Sequence, residues 1–589
     1  VPRFPAACLT ALLAVLALAG PLSSPALAAD GAAEVKADVA ACRPLEAPAI
    51  PLLPTGADVV SVHANAYATE PAANGAFARA DTAARLVDGR DLEAQLAAYL
   101  RCDTPFMRLT HGQLARLADE IPKAAGDGRD ASPVGVFLFG WSSGHDALVV
   151  RPGIDRPTDL SGATIAYPEK GRPLDLLARI LSDAKAAAGG DWQPPTLLAT
   201  RRASGLEGDA PAAVFMRNAD VDAVFVTAPE AEVLTAGGVG TGAEGSVRGA
   251  EVLLSTRSLS RALGEVLVVR ADYLKANGAQ VAALVQALLD AEEEVREDVL
   301  KQLVPWDKVA AILLGSAERA AEAEALWKGV ETVGLEGNKT WATASHPLSF
   351  TRLVGDTGRF LAERQMVGTV LEVTTAGWAW DDLGGDLFDT RAARISGFDT
   401  QAADAATRRM QSEGTLDDST LLTFTINFEP NQADFPASRY AGDFRRVIDL
   451  AATYGGAVMT VEGHTDPTRY LVMKYREGQP ENVLRRQRQS TLTLSLSRAQ
   501  AVRRAILDFA DSSGVPLDAS QFVVDGRGIE DPASGLCGAP EVPACPDSFK
   551  AGDPAPPRTE EEIRANMRVV FRMVNVEAES DVLTPVVNW

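Results

Sequence analysis

The stretch Gly140-Trp141-Ser142-Ser143-Gly144-His145 puts two hydroxyls, an indole and an imidazole between glycines. Backbone N–H groups and hydroxyls in such a loop could receive an anion, with Trp141 as a cap. Ser142, Ser143 and Trp141 are therefore candidate solute contacts, and Tyr67 and Thr227 are added to them. The plainer reading is a Gly-rich connection between two strands. Gly140-x-Ser142-x-Gly144 also matches the hydrolase nucleophile elbow in form. That elbow needs a strand, a sharp turn and a helix, because the turn exposes the serine oxygen. Here the run continues into Asp146-Ala147-Leu148-Val149-Val150, a strand-like segment, so a serine hydrolase is set aside. No Ser/His/Asp, Cys/His, CxxC or metal-ligand constellation stands out, so neither catalysis nor a cofactor is expected.

The elements around this loop alternate. Val134-Gly135-Val136-Phe137-Leu138-Phe139, Ala163-Thr164-Ile165-Ala166-Tyr167 and Asp222-Ala223-Val224-Phe225-Val226 read as buried strands. Leu174 to Ala188 and Ala279 to Leu300 read as helices, the latter with Val281, Leu284, Val285 and Leu288 at helical spacing. The alternation predicts an α/β class with largely parallel sheets. The chain has 589 residues, which suggests more than one domain. Its net charge of −23 speaks against a general nucleic-acid binder, which needs a basic face. Apolar residues make up 46%, too many for a mainly disordered chain.

Arg3, the apolar run Ala6 to Gly20 and Ala26-Leu27-Ala28 have the layout of a secretory signal peptide, residues 1–28. An Ala/Pro-rich lead follows at 29–54. Removing Cys8 leaves Cys42, Cys102, Cys537 and Cys545, an even count that favours disulfides in an exported protein. The simplest pairing is local, Cys42 with Cys102 and Cys537 with Cys545. Residues 55–400 form the front body. The polar stretch Gln401 to Asp418 lacks a core pattern and reads as a linker, 401–419. A second body spans 420–577, with a tail at 578–589.

Pro157-Thr158-Asp159-Leu160-Ser161-Gly162-Ala163-Thr164-Ile165-Ala166 and Ala219-Asp220-Val221-Asp222-Ala223-Val224 before Ala228-Pro229 carry a resemblance. They resemble segments of periplasmic solute-binding proteins of the nitrate, sulfonate and taurine ABC-transporter type. These motifs are short and mostly structural. The resemblance implies a two-lobed α/β body that closes over a small solute by hinge motion. It also implies ligand contacts from loops at strand carboxyl ends.

The second body carries an ordered set of motifs: Ile426-Asn427-Phe428-Glu429-Pro430-Asn431, Glu462-Gly463-His464-Thr465-Asp466, Leu494-Ser495-x-x-Arg498-Ala499-x-x-Val502, Gly526-Arg527-Gly528, Pro532 and Asn566-x-Arg568-Val569. Leu494-Ser495 is read as opening a helix, with Ser495 or Ser497 as its cap. Gly526-x-Gly528 is read as a turn, and His464 as a structural imidazole. In this order the set is similar to the OmpA-like peptidoglycan-binding domain, an α/β sandwich with a small mixed sheet. Its ligand is the diaminopimelate-containing stem peptide of peptidoglycan. Diaminopimelate carries an ammonium and a carboxylate on one carbon. The resemblance assigns the ammonium to Asp466 and the carboxylate to the planar fork of Arg498. Thr465 and Asn431 would add hydrogen bonds, and Asn566 and Arg568 match the supporting strand. Thr491 stands where the family commonly has Asn. The insert 467–493 holds six basic residues (Arg469, Lys474, Arg476, Arg485, Arg486, Arg488) against Glu477 and Glu481. It reads as a solvated loop or helix extension, or as an attraction to anionic wall polymer or lipid.

The expectation is a two-lobed, periplasmic-binding-protein-like body followed by a smaller OmpA-like sandwich domain. It would be an exported, non-catalytic protein of the cell envelope that captures a small solute, an anion in the first place, and is anchored to peptidoglycan at the wall or outer membrane. An ABC permease is a further partner; nucleic acid is not. The alternatives are an enzyme on a solute-binding fold, or a structural protein or envelope-stress sensor without a transported ligand.

Overall fold

The computed structural model describes residues 39–65, 75–123, 127–238, 242, 245–384, 397–398, 400–417, 419–427, 435, 437–540, 542–576 and 583–584. The signal peptide 1–28, Tyr67, Asn431 and most of the tail 578–589 lie outside the described residues. The front body carries β1 (Ala49–Leu52), β2 (Arg85–Asp88), β3 (Phe106–Thr110), β4 (Pro133–Ser142), β5 (Asp146–Val150), β6 (Thr164–Pro168), β7 (Thr196–Thr200), β8 (Ala223–Thr227), β9 (Glu251–Ser255), β10 (Gly264–Arg270), β11 (Val330–Thr332) and β12 (Thr374–Thr375). Two sheets make two lobes. The first runs β11-β4-β10-β3 with β12 beside β4, and the second runs β7-β6-β8-β5-β9. The chain passes between them twice, from β4 to β5 at Ser142–Asp146 and from β9 to β10 at Ser255–Gly264.

The sheets are mixed rather than largely parallel. In the first, β10 pairs antiparallel with both β3 and β4, and β11 pairs antiparallel with β4. In the second, β6 is parallel to β7 and β8, whereas β5 is antiparallel to β8 and β9. A buried apolar run shows that both faces are covered but carries no direction, so the sequence pattern was silent on this point. Strand β4 is buried along its whole length. The helix Ala271–Leu300 covers it with Val281, Leu284, Val285 and Leu288.

The lead is not free of structure. Its segment Ala49–Leu52 pairs parallel with Arg85–Asp88. Cys42 is bridged to Cys102 across a Cα–Cα distance of 5.3 Å. Arg270 Nη2 donates to Ala40 O (3.0 Å), which ties the lead further to the first lobe.

A short pair joins β13 (Gly397–Phe398) to β18 (Leu583–Thr584). The second body is built on β14 (Thr420–Asn427), β15 (Val458–His464), β16 (Phe522–Gly528) and β17 (Arg568–Val574), in the order β14-β17-β15-β16. Only β15 and β16 are parallel. The helices Ala437–Thr453 and Glu481–Ser512 share one face and meet at Phe444 and Phe509, whose rings lie 5.9 Å apart. The long helix lies almost on the sheet. A Cβ on Gly463 would stand 2.1 Å from Ser495 O, so only glycine admits this approach.

Three expectations are corrected here. The stretch read as a linker forms the helix Thr400–Glu413; Ala406, Met410 and Leu416 pack with Val458, Val523, Val574 and Val576. The helix read as opening at Leu494-Ser495 begins at Glu481, so Ser495 and Ser497 are interior and cap nothing. Gly526 lies inside β16 rather than in a turn. The insert 467–493 is helical over Thr468–Leu471 and again from Glu481. Tyr470, Leu471, Met473 and Leu484 pack with Ile529, so it is a packed extension and not a solvated loop. Cys537–Cys545 closes a loop nearby with Cα–Cα 5.8 Å.

Candidate functional site

The carboxyl end of β15 gathers most of the residues expected of a wall-binding site. Strand alternation sends Met459, Val461 and Gly463 toward the long helix, and the strand then releases Thr465 and Asp466 at its end. Thr465 N–H donates to Gly528 O (2.8 Å), which fixes the exit of the strand against β16. Asp466 is half-buried and accepts twice, from Thr468 N–H (2.9 Å) and from Asn566 Nδ2 (3.0 Å). Asn566 is fully buried and accepts from Ser534 N–H (3.1 Å) with its own oxygen. Asn566 thus orients the carboxylate that the resemblance would pair with an ammonium.

Arg498 comes from the middle of the helix Glu481–Ser512, not from its first turn. It is 8% exposed and its Nη1 donates to His464 O (2.8 Å). Among the described residues it faces no carboxylate within ion-pair distance. Burial pulls its pKa down. Ser495, one turn earlier, accepts from Gly528 N–H (2.9 Å) and donates to Leu492 O (2.9 Å), so its hydroxyl ties the helix to β16. Arg568 donates to Asp531 O (3.1 Å), and burial lowers its pKa also. Thr465 Oγ1, Arg568 Nη1 and His464 Nε2 are buried and have no hydrogen-bond partner among the described residues. His464 is held neutral by burial, with Arg568 adding to the effect, at a pKa of about 3. It is not a base near neutral pH.

The polar groups of the loop Gly140–His145 are taken up by neighbouring protein groups. Ser142 is 2% exposed; its hydroxyl donates to Asp146 Oδ2 (2.8 Å) and pairs with Thr256 Oγ1 (2.9 Å). Thr256 Oγ1 also accepts from the N–H groups of Gly144 and His145 (2.9 and 3.1 Å). Ser143 N–H donates to Gly329 O (2.9 Å). Trp141 is packed inside the first lobe, stacked on His111 at 5.9 Å between centroids. Thr227 caps the helix Ala228–Thr235, and its N–H and O–H both donate to Glu230 Oε2 (2.8 Å each).

Around this loop lies a seam between the lobes that sequence reasoning missed. Arg108 on β3 is fully buried, donates to Glu265 Oε2 (2.7 Å), and faces Asp58 at 3.4 Å. Arg172 of the second lobe pairs with Glu265 of the first and with Asp146 of its own lobe (3.5 Å). Asp175, at the start of the helix Leu174–Ala188, accepts from Thr110 Oγ1 (2.6 Å) and from Gly112 N–H (2.7 Å) of the first lobe. At the rim, Arg116 pairs with Glu169 (2.6 Å), and Lys170 with Glu120 (2.9 Å). Burial would raise the Glu265 carboxyl, but Arg172 and Arg108 hold it down at about 2. Burial pushes Asp58 and Asp175 up to about 7. The available signal was a buried charge on three otherwise apolar strands: Arg108 in β3, Asp146 at the start of β5, and Glu265 in β10, which also ends on Arg270. A cavity of ≈ 300 Å³ opens elsewhere, by Leu52, Asn65, Leu86 and Leu313, and holds none of the expected solute residues. Among the described residues no group of three or more His, Cys, Asp or Glu is placed to hold a metal ion.

No family model and no curated protein matches the chain. Among solved structures it is similar to the periplasmic aliphatic sulphonate binding protein SsuA from Escherichia coli, at 16% identity and TM-score 0.37, over 56% of this chain and 90% of that one. It is similar to the alkanesulfonate-binding protein SsuA from Xanthomonas axonopodis pv. citri bound to MOPS, at 16% and 0.35, over 57% and 100%. The desulfurization enzyme DSZB is similar at 17% and 0.34, over 58% and 96%. Likenesses at these scores carry no weight for function, which rests on the residues themselves.

Proposed function

We propose that this protein is an exported, non-catalytic binding protein tethered to peptidoglycan by its second body. The observation that carries the reading is Arg498: among the described residues this buried guanidinium has a carbonyl and no carboxylate within ion-pair distance, while the same strand end holds an oriented Asp466 carboxylate. A buried cation left without its counter-charge is costly, and a ligand carboxylate would supply one. A diaminopimelate end offers that carboxylate to Arg498 and its ammonium to Asp466. Thr465 Oγ1 and Arg568 Nη1 are buried polar atoms with capacity to spare at the same strand end. Asn431 belongs to the proposed site by resemblance.

The front body is proposed to take a small solute between its lobes once the seam opens, with Trp141, Ser142, Ser143, Thr227 and Tyr67 as candidate contacts. Delivery to an ABC permease is the proposed output, and the periplasmic face of a cell wall the proposed location. A serine-hydrolase reading is disfavoured by Ser142, whose oxygen is engaged by Asp146 and Thr256 rather than by an imidazole. Co-sedimentation with purified diaminopimelate-type peptidoglycan tests the tether. The wild-type chain is expected in the pellet, and Asp466→Ala and Arg498→Ala in the supernatant with unchanged circular dichroism. Both variants pelleting like wild type would sink the reading. For the front body, a thermal-shift series of small anions and sulfonates is the test, and stabilisation by one chemical class is expected.

A further inference from the structure

The corner between the helix Ala437–Thr453 and β15 is seated on the second crossover of the front body. Arg261 N–H donates to Thr453 O (3.2 Å), and Gly456 N–H donates to Ser258 O (3.1 Å). Ser258 Oγ donates to Asn575 Oδ1 (3.0 Å), next to the end of β17. The contact is backbone on backbone because the corner is glycine. A Cβ on Gly456 would stand 1.7 Å from Arg257 O, and one on Gly455 2.7 Å from Ser260 Oγ.

The same corner grips both lobes. Asp449 forms an ion pair with Arg179 (Oδ2 to Nη2, 2.9 Å), which belongs to the second-lobe helix Leu174–Ala188. Its other oxygen accepts from Arg352 Nη2 (2.8 Å), on the helix Phe350–Glu363 that packs against the first-lobe helix His111–Arg116. Tyr454 is fully buried and donates to Asp183 Oδ2 (3.0 Å), the carboxylate that Arg179 also holds (2.6 Å). Gln521 Nε2 donates to the carbonyls of Tyr454 (2.8 Å) and Ala457 (3.0 Å), which stiffens the corner from its own side.

We infer that this corner is a clamp: it fixes the crossover Ser255–Gly264 and both lobes in one relative placement, so that opening the lobes and undocking the corner are coupled events. Hinge closure is absorbed by a few residues in the segments that join two lobes. Here one of those two segments is bonded along its backbone to a third body. The coupling is reciprocal: whatever opens the lobes weakens the docking, and release of the corner makes opening easier. A wall-held second body then reports on, and restrains, the state of the front body. The inference rests on the two-lobed front body opening to a solute, but the clamp is measurable with no solute present.

Amide hydrogen exchange of the full chain, read by mass spectrometry at neutral pH, tests it. The variants are Asp449→Ala with Tyr454→Phe, which removes the polar grip, and Gly456→Ala, which forces the backbones apart. The reporter of the seam is the Gly112 amide, bonded to Asp175 across the lobes. Both variants are expected to speed exchange at Arg261 and Gly456 at least tenfold and at Gly112 at least threefold, with β15 and β17 still protected. Faster exchange at the corner with Gly112 at its wild-type rate would overturn the clamp, as would no change at either place. If Gly456→Ala loses the protection of β15 and β17, the double variant alone decides. Solute binding fails separately: anions and sulfonates giving no thermal shift in wild type or variant would remove that reading and leave the exchange result standing.

Discussion

Arg172 and Arg498 are both arginines set into polar corners of this molecule, and their surroundings differ in kind. Arg172 lies in the seam between the lobes, bracketed by Glu265 and Asp146, and those carboxylates hold its pKa up against burial. Arg498 lies at the end of β15 with the carbonyl of His464, and burial draws its pKa down unopposed. The seam answers its charges with its own side chains, so the lobes are closed by internal chemistry. The end of β15 holds a cation that no carboxylate among the described residues answers, and an anion oriented by Asn566. In a single structure without ligand, unmatched buried charge points to a binding site more strongly than a loop of suitable residue types does.

The comparison can be broken at the seam with the largest effect. Glu265→Ala takes away the carboxylate that Arg108 and Arg172 share, leaving them only the longer contacts to Asp58 and Asp146, and breaking a buried pair in this way costs roughly 3–5 kcal/mol. Urea unfolding of the full chain is expected to show that loss. A loss below 1 kcal/mol would mean the seam is solvated. At the other site, Arg498→Ala removes a charge that pairs with no carboxylate among the described residues. Stability is expected to fall by no more than about 2 kcal/mol, chiefly from lost packing, while wall binding drops at least tenfold.

The pH dependence sharpens the contrast next. Asp175 titrates at about 7 in the fold because of burial, above its unfolded value. Its contribution is therefore fully present below about pH 4 and is lost as pH rises through about 7. Asp175→Asn, neutral throughout, is expected to flatten the fall in unfolding free energy from urea titrations between those limits by on the order of 1 kcal/mol or more. His111 and His464, kept neutral to about 3 by burial, act oppositely: their contribution is present above about pH 6.5 and lost as pH falls toward 3. The difference between variant and wild type isolates Asp175 from them. The smallest effect belongs to the packed insert. Arg485→Ala with Arg486→Ala, both exposed, is expected to change stability by less than about 0.5 kcal/mol. The pair should weaken wall binding only at low salt, where screening is weak. An unchanged salt profile would argue against electrostatic attraction.

Much of the element map was legible. Leu174–Ala188 and Asp146–Val150 have the limits their apolar periodicity predicts. The helix over 400–413 was not legible, because its few apolar contacts, Ala406 and Met410, find their partners on strands far along the chain. The start at Glu481 was hidden for a similar reason. The Arg- and Gln-rich turns between 485 and 490 carry no apolar stripe, and Leu484 is buried only because Tyr470 and Ile529 come to meet it. Strand direction was illegible in principle. The seam left a faint signal, buried charges on apolar strands, but a single sequence does not say which charges meet. Asp466, Thr465, Arg498 and Asn566 were named from their motif order, and the fold gathers them about the end of β15; what the motif hid was that Asn566 orients Asp466 from below.

The most direct measurement is a calorimetric titration of the full chain with two stem peptides, one carrying meso-diaminopimelate and one carrying lysine at the same position. The lysine peptide keeps the ammonium and lacks the carboxylate. Wild type is expected to bind the diaminopimelate peptide at least tenfold more tightly, and Arg498→Ala to lose that preference. Equal affinity of the wild type for the two peptides, or a preference that survives Arg498→Ala, would contradict the account.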